Sequence, residues 1–126
     1  VTGVQTCALP ISLQELTQPG LVTTVYDCCA GTGGMLSVTE QHLRELNPGI
    51  QVELFGQEIN PQSFSICKSD MLIKGQNADN IILGDSFTED GHRGTTFRYM
   101  LTIIYSIFGS DLIGILSSFN MVAYNR

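Results

Sequence analysis

Three short segments of this sequence carry residue types that could hold a nucleoside. The first is Asp27-Cys28-Cys29-Ala30-Gly31-Thr32-Gly33-Gly34. Glycine lets a backbone turn tightly and approach a ligand with no side chain in the way. A helix opening just beyond such a turn presents free N–H groups to polar or anionic ligand atoms. The second segment is Gly56-Gln57-Glu58-Ile59-Asn60, with Glu58 about 30 residues on. An acid at that distance, at the end of a second strand, accepts hydrogen bonds from ribose hydroxyls in nucleoside-binding α/β sheets. The third is Gly84-Asp85-Ser86. Its acid could bond a purine ring, or could simply close an Asx turn.

These segments act together only if strands and helices bring them to one edge. Leu21–Cys28 is rich in Val, Thr and Tyr and reads as a buried strand. Ala30–Gly34 is the turn, and Met35–Leu46 an amphipathic helix with Leu36, Val38, Leu43 and Leu46 as its apolar positions. Asn47-Pro48-Gly49 ends that helix, and Ile50–Gly56 alternates as a second strand. Asn60 caps the next helix and Pro61 takes its first position. That helix runs to about Ile73 with Phe64, Cys67, Met71 and Leu72 inward. Asn80–Leu83 is a short third strand, Glu89–Thr95 a loop, and Phe97–Leu101 the start of a fourth strand. Strand and helix in alternation predict an α/β fold with a parallel sheet and right-handed crossovers. The three polar segments then fall at the carboxyl ends of successive strands, where such sheets bind ligands.

At this point the resemblance becomes specific. The run from Tyr26 to Leu36 resembles the first motif of the amino-methyltransferases. The stretches Gly56–Phe64 and Cys67–Gly75, continued by Asn80-Ile81 and Gly84-Asp85-Ser86, are similar to the modification subunit of type I restriction–modification systems, an adenine-specific DNA methyltransferase. The resemblance covers residues 13 to about 101. It implies a Rossmann-like domain, S-adenosylmethionine as methyl donor, and adenine's exocyclic amine in DNA as acceptor. By position, it implies that Asp27, Gly31, Thr32 and Gly33 line the methionine part of the donor, that Glu58 holds its ribose, and that Asp85 lies near its adenine. The implied partners are DNA and the specificity and restriction subunits of the complex, in the cytoplasm and without a membrane.

The chain departs from this pattern in two places. The family has Pro after the first acid, then a small residue and Cys, where this sequence has Cys28, Cys29 and Ala30. After the fourth strand the family carries Asn-Pro-Pro and an aromatic residue. The Asn side chain and a Pro carbonyl accept from the target amine, and the ring stacks on the flipped base. Here the stretch reads Ile103-Ile104-Tyr105-Ser106-Ile107-Phe108, with neither Asn nor Pro. The acid inside the preceding strand is replaced by Arg98. No catalytic residue is therefore assigned, and Tyr105 reads as a core tyrosine.

Composition limits the rest. The 126 residues suit one domain, whereas a full methyltransferase sheet of about six or seven strands needs more chain. A part of such a domain is therefore expected. A net charge of −6, with only six Lys and Arg, does not suit a stand-alone DNA-binding module. Any grip on DNA has to come from elsewhere in the enzyme. Cys7, Cys28, Cys29 and Cys67 form no CxxC pairs, which argues against structural zinc and for reduced thiols. The adjacent Cys28 and Cys29 are expected on opposite faces of a strand. Neither His42 nor His92 stands at nucleophile–base spacing.

Three zones follow. Residues 1–12 carry no charge, resemble a translated sequencing adapter, and are expected to be a non-native leader without signal-peptide character. Residues 13–101 form the partial methyltransferase domain, starting with a helix end at Leu13–Thr17 stopped by Pro19 and Gly20. Residues 102–126 are an apolar tail. The last 28 residues hold only Asp111 and Arg126 as charges, against 16 in residues 13–98. Between Arg98 and Asp111 lie 12 uncharged residues, short of the about 20 that a membrane span requires. Charge and motif vanish together, which predicts a break in the reading frame or assembly near residues 98–103. An uninterrupted natural frame through residues 95–126, on resequencing the source DNA, would contradict it.

Two other readings stay open. One is a non-catalytic nucleoside-binding or purely structural fragment. The other is a nicotinamide-dependent protein, although Gly31-Thr32-Gly33-Gly34 lacks the last glycine of G-x-G-x-x-G.

Overall fold

A computed structural model describes residues 19–101, with the backbone of Ile104–Tyr105 and Ile113–Gly114. The expected leader, the helix end at Leu13–Thr17, the side chain of Tyr105 and the remainder of the tail lie outside the described residues. The elements are β1 (Val22–Asp27), α1 (Gly34–Leu46), β2 (Gln51–Glu58), α2 (Pro61–Ile73), a 3-10 turn (Ala78–Asn80), β3 (Ile81–Leu83) and β4 (Tyr99–Leu101). Beyond them, β5 (Ile104–Tyr105) pairs antiparallel with β6 (Ile113–Gly114).

The four strands β1 to β4 form one parallel sheet in the order β3-β2-β1-β4. The register sets Val25 beside Leu54 and Asp27 beside Gly56, with Glu58 beside Leu83. Parallel strands need crossovers, and α1 and α2 supply them. The alternation within each strand divides the two faces. Val25, Leu54 and Ile81 join Leu36, Cys67 and Met71 in the core beneath the helices. Tyr26 and Phe55 point to the other face, where Phe97 stacks on Tyr26 at 4.7 Å and His92 meets both rings edge-on. The His92 ring also lies 3.1 Å from the Gly56 carbonyl through Nε2. A parallel sheet has to be covered on both sides. Here the loop after β3 does this for the second face.

Helical geometry corrects two expectations about the core. Leu36, Leu43 and the position between them, Glu40, face the sheet, because i, i+4 and i+7 share one side of a helix. Val38 lies on the far side and is exposed. Glu40 is tolerated because its Oε1 accepts from Arg44 Nη2 at 2.9 Å and Gln76 Nε2 at 2.7 Å. On α2, Cys67 and Met71 are fully buried at i and i+4, which turns Leu72 by about 100° to solvent. Phe64 is half-buried against the core, and Leu72 is exposed where burial was expected. A third expectation fails at Asn80. It ends the 3-10 turn, and its Nδ2 donates to the Leu54 carbonyl at 3.1 Å.

Asn60 starts α2 as the sequence predicts. Its side-chain oxygen accepts from the Gln62 and Ser63 N–H groups at 2.9 and 3.0 Å, with Pro61 at the first helical position. Removing this cap costs about 1 kcal/mol. Asn60→Ala is expected to lower the unfolding free energy by that amount, read as a lower urea midpoint at unchanged m-value, and an unchanged midpoint would show that the cap contributes nothing.

Candidate functional site

The site is assembled at the carboxyl ends of β1, β2 and β3. Asp27 is the last residue of β1 and is 1% exposed. Its Oδ1 accepts from the Cys29 N–H at 3.0 Å. Burial pushes its carboxyl from an ordinary 3.8 up to about 6. The Cys29 hydrogen bond works against this rise, and the nearby Glu58 charge adds to it. Burial of this kind disfavours the charged form of the acid.

The chain then turns through Ala30–Gly34. Gly31 and Gly33 adopt φ of +57° and +87°, the left-handed region that side chains resist. At Gly33 a Cβ would sit 2.9 Å from the Cys67 sulfur, so α2 presses directly against the turn. Thr32 lies between them, exposed. The turn is anchored to β2 twice. The Ala30 N–H donates to the Gln57 carbonyl at 3.0 Å, and the Gly31 N–H to Glu58 Oε2 at 2.7 Å.

Glu58 closes β2. Its other oxygen, Oε1, accepts from the Asn60 N–H at 2.7 Å. A carboxylate offers about four lone-pair sites. The two backbone bonds use half and fix the group's orientation, leaving capacity for two further donors. Asp85 follows β3, half-buried, and its Oδ1 accepts from the Phe87 N–H at 2.9 Å. The Asx turn that the sequence allows is therefore formed.

The structure thus bonds Gly31 to Glu58 and sets Asp27 near enough to feel the Glu58 charge, whereas Asp85 hydrogen-bonds within its own turn. Several residues escaped the sequence reading. Gln57, fully buried on the face away from α1 and α2, donates to the Glu89 carbonyl at 2.7 Å and accepts from the Gly91 N–H at 3.1 Å. It ties the loop after β3 to β2. Ser86 donates through Oγ to the Cys28 carbonyl. Ile59 and Phe87 stand 65% and 86% exposed beside Glu58 and Asp85, an apolar exposure at the strand ends. The pairing of an acid with a following apolar residue, Glu58-Ile59, was the only signal for these. The cysteines also differ from expectation. β1 ends at Asp27, so Cys28 and Cys29 lie in the turn, with their sulfurs 3.9 Å apart on the same side.

Residues 9–106 match the family described as N-6 DNA Methylase. The chain belongs to this family. The match begins within the last residues of the expected leader. Among curated proteins, the chain is similar to the type I restriction enzyme MjaIX methylase subunit of Methanocaldococcus jannaschii, 28% identical over 79 residues. That alignment covers 62% of this chain and 14% of the relative, so the chain spans a small part of its length. Among solved structures, the methyltransferase subunit of the type I restriction-modification system from Streptococcus thermophilus superposes with a TM-score of 0.57. It is 24% identical, and the match covers 79% of this chain and 20% of that one. This likeness shows the α/β methyltransferase fold. Among the described residues, no helix is long and apolar enough to cross a membrane.

Proposed function

We propose that this chain is the donor-binding part of an adenine-specific DNA methyltransferase of a type I restriction–modification system. The observation that carries the reading is the Gly31 N–H held by Glu58 at 2.7 Å beside the buried Asp27, in a member of the N-6 DNA methylase family. S-adenosylmethionine, when bound, supplies a methyl group on a sulfonium centre. The residues present fit such a ligand. Asp27 holds a carboxylate where burial leaves it short of a cation, and the ammonium of the methionine part meets that need. The left-handed Gly31 and Gly33, with Thr32 between them, keep the turn free of bulk around the methionine part. Glu58 accepts from the two ribose hydroxyls with its spare lone pairs. Ile59 and Phe87 offer apolar surface to the purine ring, and Asp85 lies on the same edge to bond its polar rim.

The complete enzyme takes adenine in DNA as acceptor and works with specificity and restriction subunits. Its setting is the reducing cytoplasm, a reading supported by the separate thiols of Cys28, Cys29 and Cys67. The acidic balance of the chain leaves the hold on DNA to other parts of that assembly. The Asn-Pro-Pro-aromatic acceptor set is missing from the sequence. The chain alone is therefore expected to bind the donor and transfer nothing.

Equilibrium dialysis separates this from the nicotinamide reading. Retention of S-adenosylmethionine and not of the nicotinamide dinucleotide is expected, and the reverse preference would overturn the proposal. A radiolabelled methyl-transfer assay on unmodified DNA is expected to stay at background. Turnover there would show that acceptor groups exist which the sequence does not reveal.

A further inference from the structure

Cys28 and Cys29 are consecutive, and their sulfurs lie 3.9 Å apart. That distance is well beyond a disulfide bond of about 2.0 Å, so both are thiols. Cys29 is partly exposed, and Cys28 is 8% exposed behind it. Burial, with Cys28 next in effect, pushes the Cys29 thiol up to about 12. It is thus a weak nucleophile toward ordinary alkylating agents, which need a thiolate. Two thiols at this spacing suit a reagent that takes up both sulfurs and releases their protons as water.

We propose that Cys28 and Cys29 form a bidentate capture site for trivalent organoarsenicals, and that its occupation distorts the glycine turn. The step balances without an oxidant. In R–As=O, the arsenic–oxygen bond and two S–H bonds break, two As–S bonds form, and one water carries away the oxygen and both protons. Arsenic stays trivalent. Cys29, the more accessible, bonds first. Cys28 then closes the chelate within the same molecule, at the high effective concentration that adjacency gives.

The coupling to the turn lies in the peptide between the two residues. Its N–H, on Cys29, donates to Asp27 Oδ1 at 3.0 Å. Its carbonyl, on Cys28, accepts from Ser86 Oγ. Drawing both sulfurs onto one arsenic rotates this peptide and breaks both bonds, which frees Asp27 and loosens the turn. Loss of donor binding on capture rests on the function proposed above, but capture itself does not.

The test titrates the reduced whole chain with phenylarsine oxide in buffer containing excess monothiol, and reads intact mass. One adduct per chain is expected, stable to the monothiol and released by a dithiol. Cys28→Ser and Cys29→Ser are each expected to lower retention about a hundredfold, whereas Cys67→Ser keeps it. No adduct on the parent chain, or equal retention by either variant of the pair, would overturn the site. Hydrogen exchange on the same samples addresses the turn. Faster exchange over residues 27–34 with α2 unchanged is expected, and unchanged exchange over 27–34 would overturn the coupling.

Discussion

Asp27→Asn is expected to stabilise the free chain at neutral pH while weakening its hold on S-adenosylmethionine. The Asp27 carboxyl titrates near 3.8 in an unfolded chain and at about 6 in the folded one, chiefly because it is buried. Below 3.8 both states carry the proton, and the group has no effect on stability. Between 3.8 and 6 the folded state binds the extra proton, so stability falls as pH rises through this window. Above 6 the full cost of the buried charge is present, about 3 kcal/mol at most. Asn keeps an oxygen for the Cys29 N–H and carries no charge. The urea midpoint of the variant should therefore exceed that of the parent at pH 7, and the gap should close toward pH 4. A gap that is absent or independent of pH would show that Asp27 is compensated within the free protein. The donor reverses the balance, because its ammonium repays the buried carboxylate. Affinity of the parent for S-adenosylmethionine should fall about tenfold for each pH unit below 6, and that of Asp27→Asn should be low and flat over the same range.

Glu58→Ala is expected to weaken S-adenosylmethionine binding on the order of a hundredfold or more. Two hydrogen bonds from ribose hydroxyls to a charged acceptor contribute about 3 kcal/mol together, and each 1.4 kcal/mol is about tenfold. The substitution also removes the acceptor for the Gly31 and Asn60 N–H groups, so the turn and the start of α2 lose their tie. Glu58→Gln separates the two contributions. Its single oxygen can keep one backbone bond, and an intermediate loss of about tenfold is expected. Equilibrium dialysis at fixed pH measures both. Equal affinity of Glu58→Ala and the parent would exclude Glu58 from the ribose site.

Much of this architecture was legible because period and punctuation agreed. The alternation that marks Ile50–Gly56 as a strand, the Asn60-Pro61 cap and the glycine turn each have a local cause, and the structure forms each of them, the strand shifted to Gln51–Glu58. Strand ends were less so. β2 runs to Glu58, and the anchoring of Gly31 by Glu58 spans 27 residues that no local pattern joins. Glu40 at a core position could not be read, because Arg44 and Gln76 had to be in place to satisfy it. Leu72 and Val38 misled because hydrophobicity was counted without their angle on the helix. The sequence marks Glu89–Thr95 as a loop and Phe97 as the start of the fourth strand, yet β4 begins at Tyr99, and His92 and Phe97 turn inward together onto Tyr26 and Phe55. That packing is set by the uncovered second face of the sheet, a property of the fold that the loop sequence does not carry.

The central claim is that this chain holds the methyl donor at the ends of β1 and β2. Calorimetric titration of the chain with S-adenosylmethionine, with its folding followed by circular dichroism, tests it most directly. The account predicts saturable binding of one molecule per chain. A folded chain that takes up no S-adenosylmethionine would contradict it.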